Sequence, residues 1–361
     1  MNAVSFHGLT PKSAAPPDAA PIKVLLIDDS LTVRTVFSRM LGREPDMVVV
    51  AGAGTAELGL KELERSHIDV VLLDLEMPGM GGLKALPLIL ARAPSAKVLV
   101  ISSLTANGAE HTVSALRMGA ADTMLKPRPG GFDETYRDTL LGKIRALRGG
   151  KAQSSAPQFP SGQAAGKRKR PEVVAIGAST GGIHALNQLL GNLPASFDLP
   201  ILITQHLPAS FIPVFAKQME SACGRLAVMA DDGIEIARGT LVIAPGHGHM
   251  VVRKTGGRCV AGLSYHPVKS GCMPSVDPMF ESLASAYDGN VAGVLLSGMG
   301  RDGTDGAQAI HAAGGTLFAQ DAESCAVWGM PRAVTEAGIA TAVCPPGELA
   351  REIVSSIGAT V

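Results

Sequence analysis

The feature that most constrains the fold of this chain is an alternation of short apolar runs with segments of helical spacing. The apolar runs are rich in Val, Ile and Leu, and most of them end in polar side chains or a glycine-rich turn. Such an alternation is typical of an open parallel sheet with helices on both faces. It occurs twice along 361 residues, which is enough chain for two domains of ordinary size. We therefore expect two doubly wound α/β domains.

The composition divides the chain into four parts. Residues 1–20 are rich in Ala, Pro and Ser and have no periodicity, so we expect a disordered leader. The two domains then cover residues 21–148 and 171–355, and a flexible Gly/Ser/Pro/Ala-rich linker at 149–170 joins them. The linker ends in a basic run at 167–170, which we interpret as solvated because no aromatic residues or DNA-reading helix pattern accompany it.

Charge and cysteine usage exclude several classes of protein. The formal net charge is zero, so nothing global points to nucleic acid or an anionic membrane as a partner. The five cysteines include no Cys-x-x-Cys pair, and an odd count argues against a closed disulfide framework. No apolar run approaches the length of about 20 residues that a membrane span needs, and no signal-peptide pattern is present. We expect a cytoplasmic monomer that binds no nucleic acid and inserts into no membrane.

Polar side chains end the predicted strands of the first domain. Asp28 and Asp29 follow the first strand, Asp74 ends the third, Ser102 ends the fourth and Lys126 follows the fifth. Because the carboxyl ends of parallel strands meet at one edge of a sheet, we expect these side chains to converge there. The alternative is a set of solvent-facing strand ends, which any α/β domain has. The Met-Pro-Gly sequence after Asp74 and the proline after Lys126 favour the functional interpretation.

This set of side chains suits phosphoryl transfer. Three carboxylates in one pocket repel one another and favour a hard divalent cation with oxygen ligands, most simply Mg²⁺. A metal-bound aspartate can accept a phosphoryl group while the cation and a lysine neutralise the transferred charge. A hydroxyl such as that of Ser102 can then reorient towards the new phosphate.

The second domain begins with an apolar run at 173–176 and the turn sequence Gly-Ala-Ser-Thr-Gly-Gly at 177–182. The pattern Gly-x-Ser-x-Gly predicts that Ser179 lies on a sharp strand-to-helix turn, where a serine nucleophile is exposed above a sheet. The N-terminus of the following helix offers N–H groups to a developing oxyanion. The alternative is a turn beneath a nucleotide phosphate. It is less favoured because Gly-x-Gly-x-x-Gly and Gly-Lys-Ser/Thr are absent.

A serine nucleophile needs a base, and His206 and Asp302 also lie just past predicted strands. His206 would accept the Ser179 proton, and Asp302 would hold the other ring nitrogen. The chain order Ser, His, Asp differs from the order Ser, Asp/Glu, His of α/β-hydrolases, so a convergent triad is favoured. Taken singly, each residue has a simpler interpretation: His206 as a packed histidine at a strand end, and Asp302 as a loop cap.

Two other groups compete for a role in the second domain. His247 and His249 form a His-x-His pattern that suits a metal ion, but no third ligand is evident, so we predict a loop role near the substrate. Cys272 is a candidate nucleophile, but nothing in the sequence marks a setting that would activate its thiol.

With its Asp-Asp, Asp-x-x-Met-Pro-Gly and Lys-Pro motifs, the first domain closely resembles the flavodoxin-like receiver domain of two-component response regulators. The resemblance implies that a chemotaxis histidine kinase phosphorylates Asp74. It also implies that Asp28, Asp29 and Asp74 hold Mg²⁺ and that Lys126 contacts the phosphoryl group. Receivers often carry an aromatic residue where this chain has Thr123, a departure that bears on the aromatic switch of such domains.

Five motifs of the second domain carry a second resemblance. They are Ile-Gly-Ala-Ser-Thr-Gly-Gly at 176–182, Gln-His-Leu-Pro at 205–208, Ala-Pro-Gly at 244–246, Pro-Ser-Val-Asp at 274–277 and Ser-Gly-Met-Gly-Arg-Asp-Gly at 297–303. Together they resemble the chemotaxis protein-glutamate methylesterases of the CheB family. The resemblance assigns Ser179, His206 and Asp302 to a catalytic triad without a cofactor, and Thr180 and Met299 to the oxyanion and substrate lining.

The resemblance also implies a function. It implies hydrolysis of glutamate γ-methyl esters on methyl-accepting chemoreceptors and deamidation of particular receptor glutamines, for sensory adaptation in chemotaxis. We expect the receiver to shield Ser179 until Asp74 is phosphorylated. The alternative is a receiver-controlled binding or scaffold module of a chemosensory pathway that does not serve motility, with a vestigial hydrolase site.

Overall fold

The computed structural model describes residues 20–103, 105–127, 131–149 and 168–358. The leader predicted over residues 1–20 and the linker predicted over 149–170 fall almost entirely outside these ranges. Two parallel α/β sheets, each flanked by helices, confirm the predicted fold class. No helix within the described ranges combines the length and the apolar character that a membrane crossing requires.

The first domain is a five-stranded parallel sheet with the strand order β2-β1-β3-β4-β5. Its strands are β1 (Ile22–Ile27), β2 (Met47–Ala53), β3 (Val70–Asp74), β4 (Lys97–Ser102) and β5 (Asp122–Leu125). Its helices are α1 (Leu31–Leu41), α2 (Ala56–Arg65), α3 (Gly81–Arg92), α4 (Ala106–Arg117) and α5 (Glu134–Arg148). The central strand β3 is buried along its whole length, which explains its uninterrupted apolar sequence.

Short polar residues set the helix starts in this domain. The hydroxyls of Ser30 and Thr55 accept hydrogen bonds from main-chain N–H groups of the first turns of α1 and α2, and the Asp133 carboxylate does the same for α5. Thr55 and Ser66, which the apolar periodicity places inside the second helix, are its N-cap and C-cap.

The second domain is a seven-stranded parallel sheet with the strand order β14-β13-β12-β6-β7-β9-β8. Its strands are β6 (Val173–Ala178), β7 (Ile201–Gln205), β8 (Ala227–Met229), β9 (Leu241–Ile243), β12 (Val291–Leu295), β13 (Thr316–Gln320) and β14 (Ala342–Cys344). An antiparallel hairpin of β10 (His249–Thr255) and β11 (Arg258–Ser264) lies outside this sheet. Its α-helices are α6 (Gly182–Gly191), α7 (Ile212–Cys223), α8 (Val276–Ala286), α9 (Thr304–Ala312), α10 (Met330–Glu336) and α11 (Pro346–Ser356).

The strand order places the site at the middle of this sheet. Strand β6 lies between β7 and β12, so the chain runs from β6 to neighbours on opposite sides. A crevice opens at such a switch point, outside the carboxyl ends of the strands. Ser179, His206 and Asp302 follow β6, β7 and β12, and they therefore share this crevice.

The two domains pack against each other. Helix α4 of the first domain contacts α6 and α7 of the second, and one cluster of buried apolar side chains extends across both sheets. The contact brings the first domain to the edge of the second sheet where Ser179 lies.

Candidate active site and phosphoryl-acceptor site

Ser179 lies in the turn between β6 and α6, and it is half-buried. Its N–H donates to the Ser297 carbonyl at 3.0 Å, and its own carbonyl accepts from Gly182 N at 2.8 Å and from Gln205 Nε2 at 2.9 Å. Gly181 has a φ of 78°, in the left-handed region that favours glycine. The turn therefore has the sharp strand-to-helix form that the sequence predicts.

The loop after β12 braces this turn. The Ser297 hydroxyl donates to the Thr180 carbonyl at 2.7 Å and accepts from the N–H groups of Ala326 and Val327, both at 3.1 Å. A Cβ atom at Gly298 would lie 2.8 Å from the Cβ of Ser179, closer than such atoms approach. Glycine at 298 is thus needed for the close approach of this loop to the serine.

His206 and Asp302 form a hydrogen-bonded pair. His206 Nε2 lies 2.8 Å from Asp302 Oδ2, and the carboxylate also accepts from the Ser275 hydroxyl at 2.6 Å and from Val276 N at 2.7 Å. Burial alone would raise the pKa of Asp302, but the hydrogen bond from His206 and these two donors lower it. Asp302 is therefore held as a carboxylate in one orientation.

Burial and the Asp302 carboxylate shift the pKa of His206 in opposite directions. Burial favours the neutral ring, but the Asp302 carboxylate favours the imidazolium and raises the pKa of His206 above its usual value. Within the described residues no hydrogen bond joins the Ser179 hydroxyl to His206. Asp302 engages Nε2 and leaves Nδ1 free of that contact. Catalytic hydrogen bonds are often long in a protein without substrate and tighten in the substrate complex.

The two predicted lining residues have different surroundings. Thr180 is buried, and its hydroxyl donates to the carboxylate of Asp122 in the first domain at 2.5 Å. Met299 is 46% exposed and lies beside Gly142 of α5. Both residues flank the active-site turn, and both face the first domain.

The two histidines of the His-x-His pattern do not share a metal site in the part of the chain that the structure describes. His247 is exposed, whereas His249 is 1% exposed. His249 Nε2 lies 3.1 Å from the His266 carbonyl, and Nδ1 accepts from Ser275 N at 3.0 Å. His249 therefore supports Ser275, which in turn holds Asp302.

Sequence reasoning missed the role of Ser275 and the position of Cys272, which it considered only as a candidate nucleophile. Ser275 belongs to the Pro-Ser-Val-Asp motif at 274–277, so the motif contained a signal but not the role. Cys272 lies close to His206 and Asp302, with one ligand atom of each residue within 4.8 Å of the others. No sequence pattern indicated this proximity, because the loop before α8 brings the thiol there.

The polar strand ends of the first domain also converge. Carboxylate oxygens of Asp28, Asp29 and Asp74 lie within 4.8 Å of one another. Lys126 Nζ lies 2.5 Å from an Asp74 oxygen and 3.4 Å from an Asp28 oxygen. Burial raises the pKa of Asp74 to about 6, although donors from Lys126 and Glu76 act in the opposite direction.

The donor set of this acidic cluster fits Mg²⁺. Asp28 Oδ2 is buried and accepts no hydrogen bond, since its contact with Lys126 is a longer ion pair. Lys126 brings one positive charge to three carboxylates, so the cluster keeps an excess of negative charge that a divalent cation would neutralise. Three carboxylates at this spacing supply the oxygen ligands that Mg²⁺ prefers.

Ser102 and Thr123 lie near this cluster, on β4 and β5. The Ser102 hydroxyl is buried and directed towards α4, where it contacts the Gly108 carbonyl at 3.4 Å and the Thr112 hydroxyl at 2.5 Å. Thr123 is buried too, and its hydroxyl has no hydrogen-bond partner among the described residues.

A cavity of about 400 Å³ lies between the two domains. From the first domain it is lined by residues that include Thr123, Lys126 and Lys143, and from the second by His206 and Pro208. The lysine that contacts Asp74 and the histidine that contacts Asp302 thus border one space.

Main-chain and side-chain hydrogen bonds join the first domain to the turn that contains Ser179. Gly181 N donates to the Ala121 carbonyl at 2.6 Å. The Asp122 carboxylate accepts from Thr180 and also from Lys143 Nζ at 2.5 Å. The first domain therefore occupies a main-chain donor at the N-terminus of α6.

Comparisons with known proteins agree on both domains. Residues 174–353 match the family model described as CheB methylesterase, and residues 24–131 match the response regulator receiver domain. A Rhodospirillum rubrum protein named protein-glutamate methylesterase/protein-glutamine glutaminase 1 is 39% identical, with 93% of this chain and 95% of that protein covered. A Caulobacter vibrioides protein named protein-glutamate methylesterase/protein-glutamine glutaminase 2 is 41% identical, with 92% and 98% covered.

A solved structure is also similar to the second domain. It is the CheB methylesterase catalytic domain of Thermotoga maritima, which is 34% identical and has a TM-score of 0.50. The match covers 51% of this chain and 98% of that domain.

Proposed function

The chain belongs to the CheB methylesterase family, and from that premise we propose that it removes methyl groups from glutamate γ-methyl esters of chemoreceptors and deamidates specific receptor glutamines. The observation that carries this proposal is the His206–Asp302 pair at the strand ends next to Ser179. Ester hydrolysis and amide hydrolysis are both acyl transfers to water through a tetrahedral intermediate, so one triad serves both reactions.

The first step is attack by Ser179 on the receptor carbonyl carbon. As Oγ bonds to that carbon, His206 Nδ1 accepts the hydroxyl proton, and Asp302 stabilises the resulting imidazolium through Nε2. Collapse of the intermediate expels methanol from an ester, or ammonia from an amide, with the proton returned by His206. A water molecule, deprotonated by the same histidine, then releases the glutamate and restores Ser179.

The first domain regulates hydrolysis by the second domain. We assign Asp74 as the phosphoryl acceptor, and Asp28, Asp29 and Asp74 would hold Mg²⁺, which neutralises phosphoryl charge when bound. Lys126, which pairs with the Asp74 carboxylate, would contact the phosphoryl group, and Ser102 would turn from α4 towards it. The phosphodonor is a chemotaxis histidine kinase.

The domain contact supports shielding of Ser179. The Ala121 carbonyl engages Gly181 N, two residues past Ser179, and so places the first domain against the N-terminus of α6, where a developing oxyanion would be stabilised. Ala121 directly precedes the short strand β5, and Lys126 directly follows it. A phosphoryl group on Asp74 would attract Lys126 and so pull on β5. Because β5 contacts the turn that contains Ser179, this pull would favour an open state of the two domains.

The scaffold alternative predicts a protein without hydrolase activity. A vestigial site has no need for a buried carboxylate that accepts three hydrogen bonds and orients a histidine. Methanol release from methylated receptor by the purified protein distinguishes the two functions. A rate no higher than that of the receptor alone, with and without a phosphodonor, would support the scaffold.

Replacing Ser275 with alanine is expected to lower kcat about tenfold or more while KM changes little. Asp302 would lose a hydroxyl donor, and a hydrogen bond to a charged group contributes roughly 1.5–3 kcal/mol. The measurement is the initial rate of methanol release against receptor concentration. Ser282→Ala is the matched control, since Ser282 is a hydrogen-bonded serine of α8 that does not contact Asp302. A Ser275→Ala variant with the wild-type kcat would argue against this support.

Chelation of divalent cations is expected to abolish phosphorylation of Asp74 and to leave basal hydrolysis at or above its starting rate. The carboxylate cluster needs a cation, whereas the serine, histidine and aspartate of the second domain need none. Phosphorylation is followed with labelled phosphodonor and hydrolysis by methanol release, in the same samples. Loss of basal hydrolysis in a chelated protein that keeps its circular dichroism spectrum would contradict the assignment.

A further inference from the structure

Cys272 has no role in the hydrolysis described above, yet it lies beside His206 and Asp302. One ligand atom each of Cys272, His206 and Asp302 lies within 4.8 Å of the other two. The three residues come from separate loops, before α8, after β7 and after β12. Among the described residues, the only other group of this kind is the cluster of three aspartates in the first domain.

We propose that Cys272, His206 and Asp302 form an inhibitory binding site for Zn²⁺. Thiolate, imidazole and carboxylate are the ligands that Zn²⁺ takes in proteins, and a site with three protein ligands leaves a fourth position for water. The aspartate cluster offers oxygen ligands alone and suits Mg²⁺ instead. The chain thus carries two cation sites of different ligand type, one for each domain.

The surroundings of the three residues favour zinc. A thiolate and a carboxylate together neutralise the dication. Ser275 and Val276 already orient the Asp302 carboxylate by donating to it, as outer-shell groups do in zinc sites. The Cys272 thiol lies 3.9 Å from the Ser270 carbonyl and also interacts with the His206 ring, so it is already directed at a second proposed ligand. Both Cys272 and His206 are half-buried and therefore within reach of an ion from solvent.

Zinc at this site stops hydrolysis through His206. The ion binds Nε2, the ring nitrogen that faces Asp302. The proton displaced from Nε2 moves to Nδ1, which then has no lone pair to accept the Ser179 proton. Binding displaces the thiol proton of Cys272 into solvent, so affinity falls as the pH is lowered.

The first test uses Co²⁺ as a spectroscopic probe of the full-length protein. Cobalt bound to a thiolate gives a charge-transfer absorption in the near ultraviolet, which oxygen ligands such as the aspartate cluster do not give. We expect this band in the wild type and in Cys344→Ser, a control for a half-buried cysteine in β14, but not in Cys272→Ser or Cys272→Ala. Absence of the band in the wild type, or its persistence in both Cys272 variants, would overturn the site. This readout does not depend on hydrolysis, so it stands apart from the proposed function.

The second test measures inhibition of hydrolysis by Zn²⁺, with each variant compared with its own zinc-free rate. Loss of a metal ligand weakens binding by more than the roughly 10- to 100-fold that loss of an outer-shell partner causes. We therefore expect the half-inhibiting concentration to rise at least about tenfold in Cys272→Ser and to stay unchanged in Cys344→Ser. Equal inhibition of the wild type and Cys272→Ser would show that zinc acts elsewhere.

Discussion

Ser179→Ala is expected to lower kcat for ester hydrolysis by about four to six orders of magnitude, because loss of a serine nucleophile removes the covalent step. The fold and the phosphorylation of Asp74 should be unaffected, since the Ser179 side chain makes no hydrogen bond in the part of the chain that the structure describes. The measurements are methanol release from methylated receptor and incorporation of labelled phosphate.

Asp302→Asn is the companion variant. The amide keeps the shape of the side chain but loses the negative charge that stabilises the His206 imidazolium. We expect a decrease in kcat that is smaller than for Ser179→Ala.

A Ser179→Ala protein that retains more than about a tenth of wild-type activity would contradict the assignment of the nucleophile.

Deleting residues 1–165 is expected to raise the basal rate about ten- to a thousandfold above that of the unphosphorylated full-length protein. A minor open state is commonly populated at about 0.1–10%, and removal of the first domain leaves only open sites. The deletion frees Gly181 N from the Ala121 carbonyl and Thr180 from Asp122. The rates are compared at equal protein concentration with the same methylated receptor.

Asp74→Asn is the control for this deletion. An amide cannot accept the phosphoryl group, so the full-length variant should stay at the basal rate with or without phosphodonor. An isolated second domain no faster than the unphosphorylated full-length protein would argue against shielding. The first domain would then have to act by recruiting or aligning the receptor.

The sequence predicted the fold and the convergence of the polar strand ends because both follow from local patterns. The third strand covers Val70–Asp74 in the prediction and in the structure, and its uninterrupted apolar sequence is typical of a fully buried strand. Once the strands are parallel, residues that follow neighbouring strands must lie at one edge, which is why His206 and Asp302 could be paired before their distance was known.

The parts that could not be predicted depend on contacts between distant loops. Ser275 reaches Asp302 across 27 positions of the sequence, and nothing in the local pattern of either residue indicates the other. Cys272 was a candidate nucleophile in the sequence without a marked setting, and only the loop before α8 places it beside His206 and Asp302. The contact of Ala121 with Gly181 depends on how two domains dock, which no periodicity within either domain encodes.

The joining of the two domains in one chain has a consequence for how the activity responds to the amount of protein. An inhibitor that is part of the same molecule meets its target at an effective concentration in the millimolar range for short flexible connections, whatever the number of molecules in the cell. Dilution of the protein during growth therefore leaves the ratio of blocked to open molecules unchanged. If the contact between β5 and the Ser179 turn shields the serine as proposed, total activity would be proportional to abundance, while phosphorylation would set the fraction of open molecules.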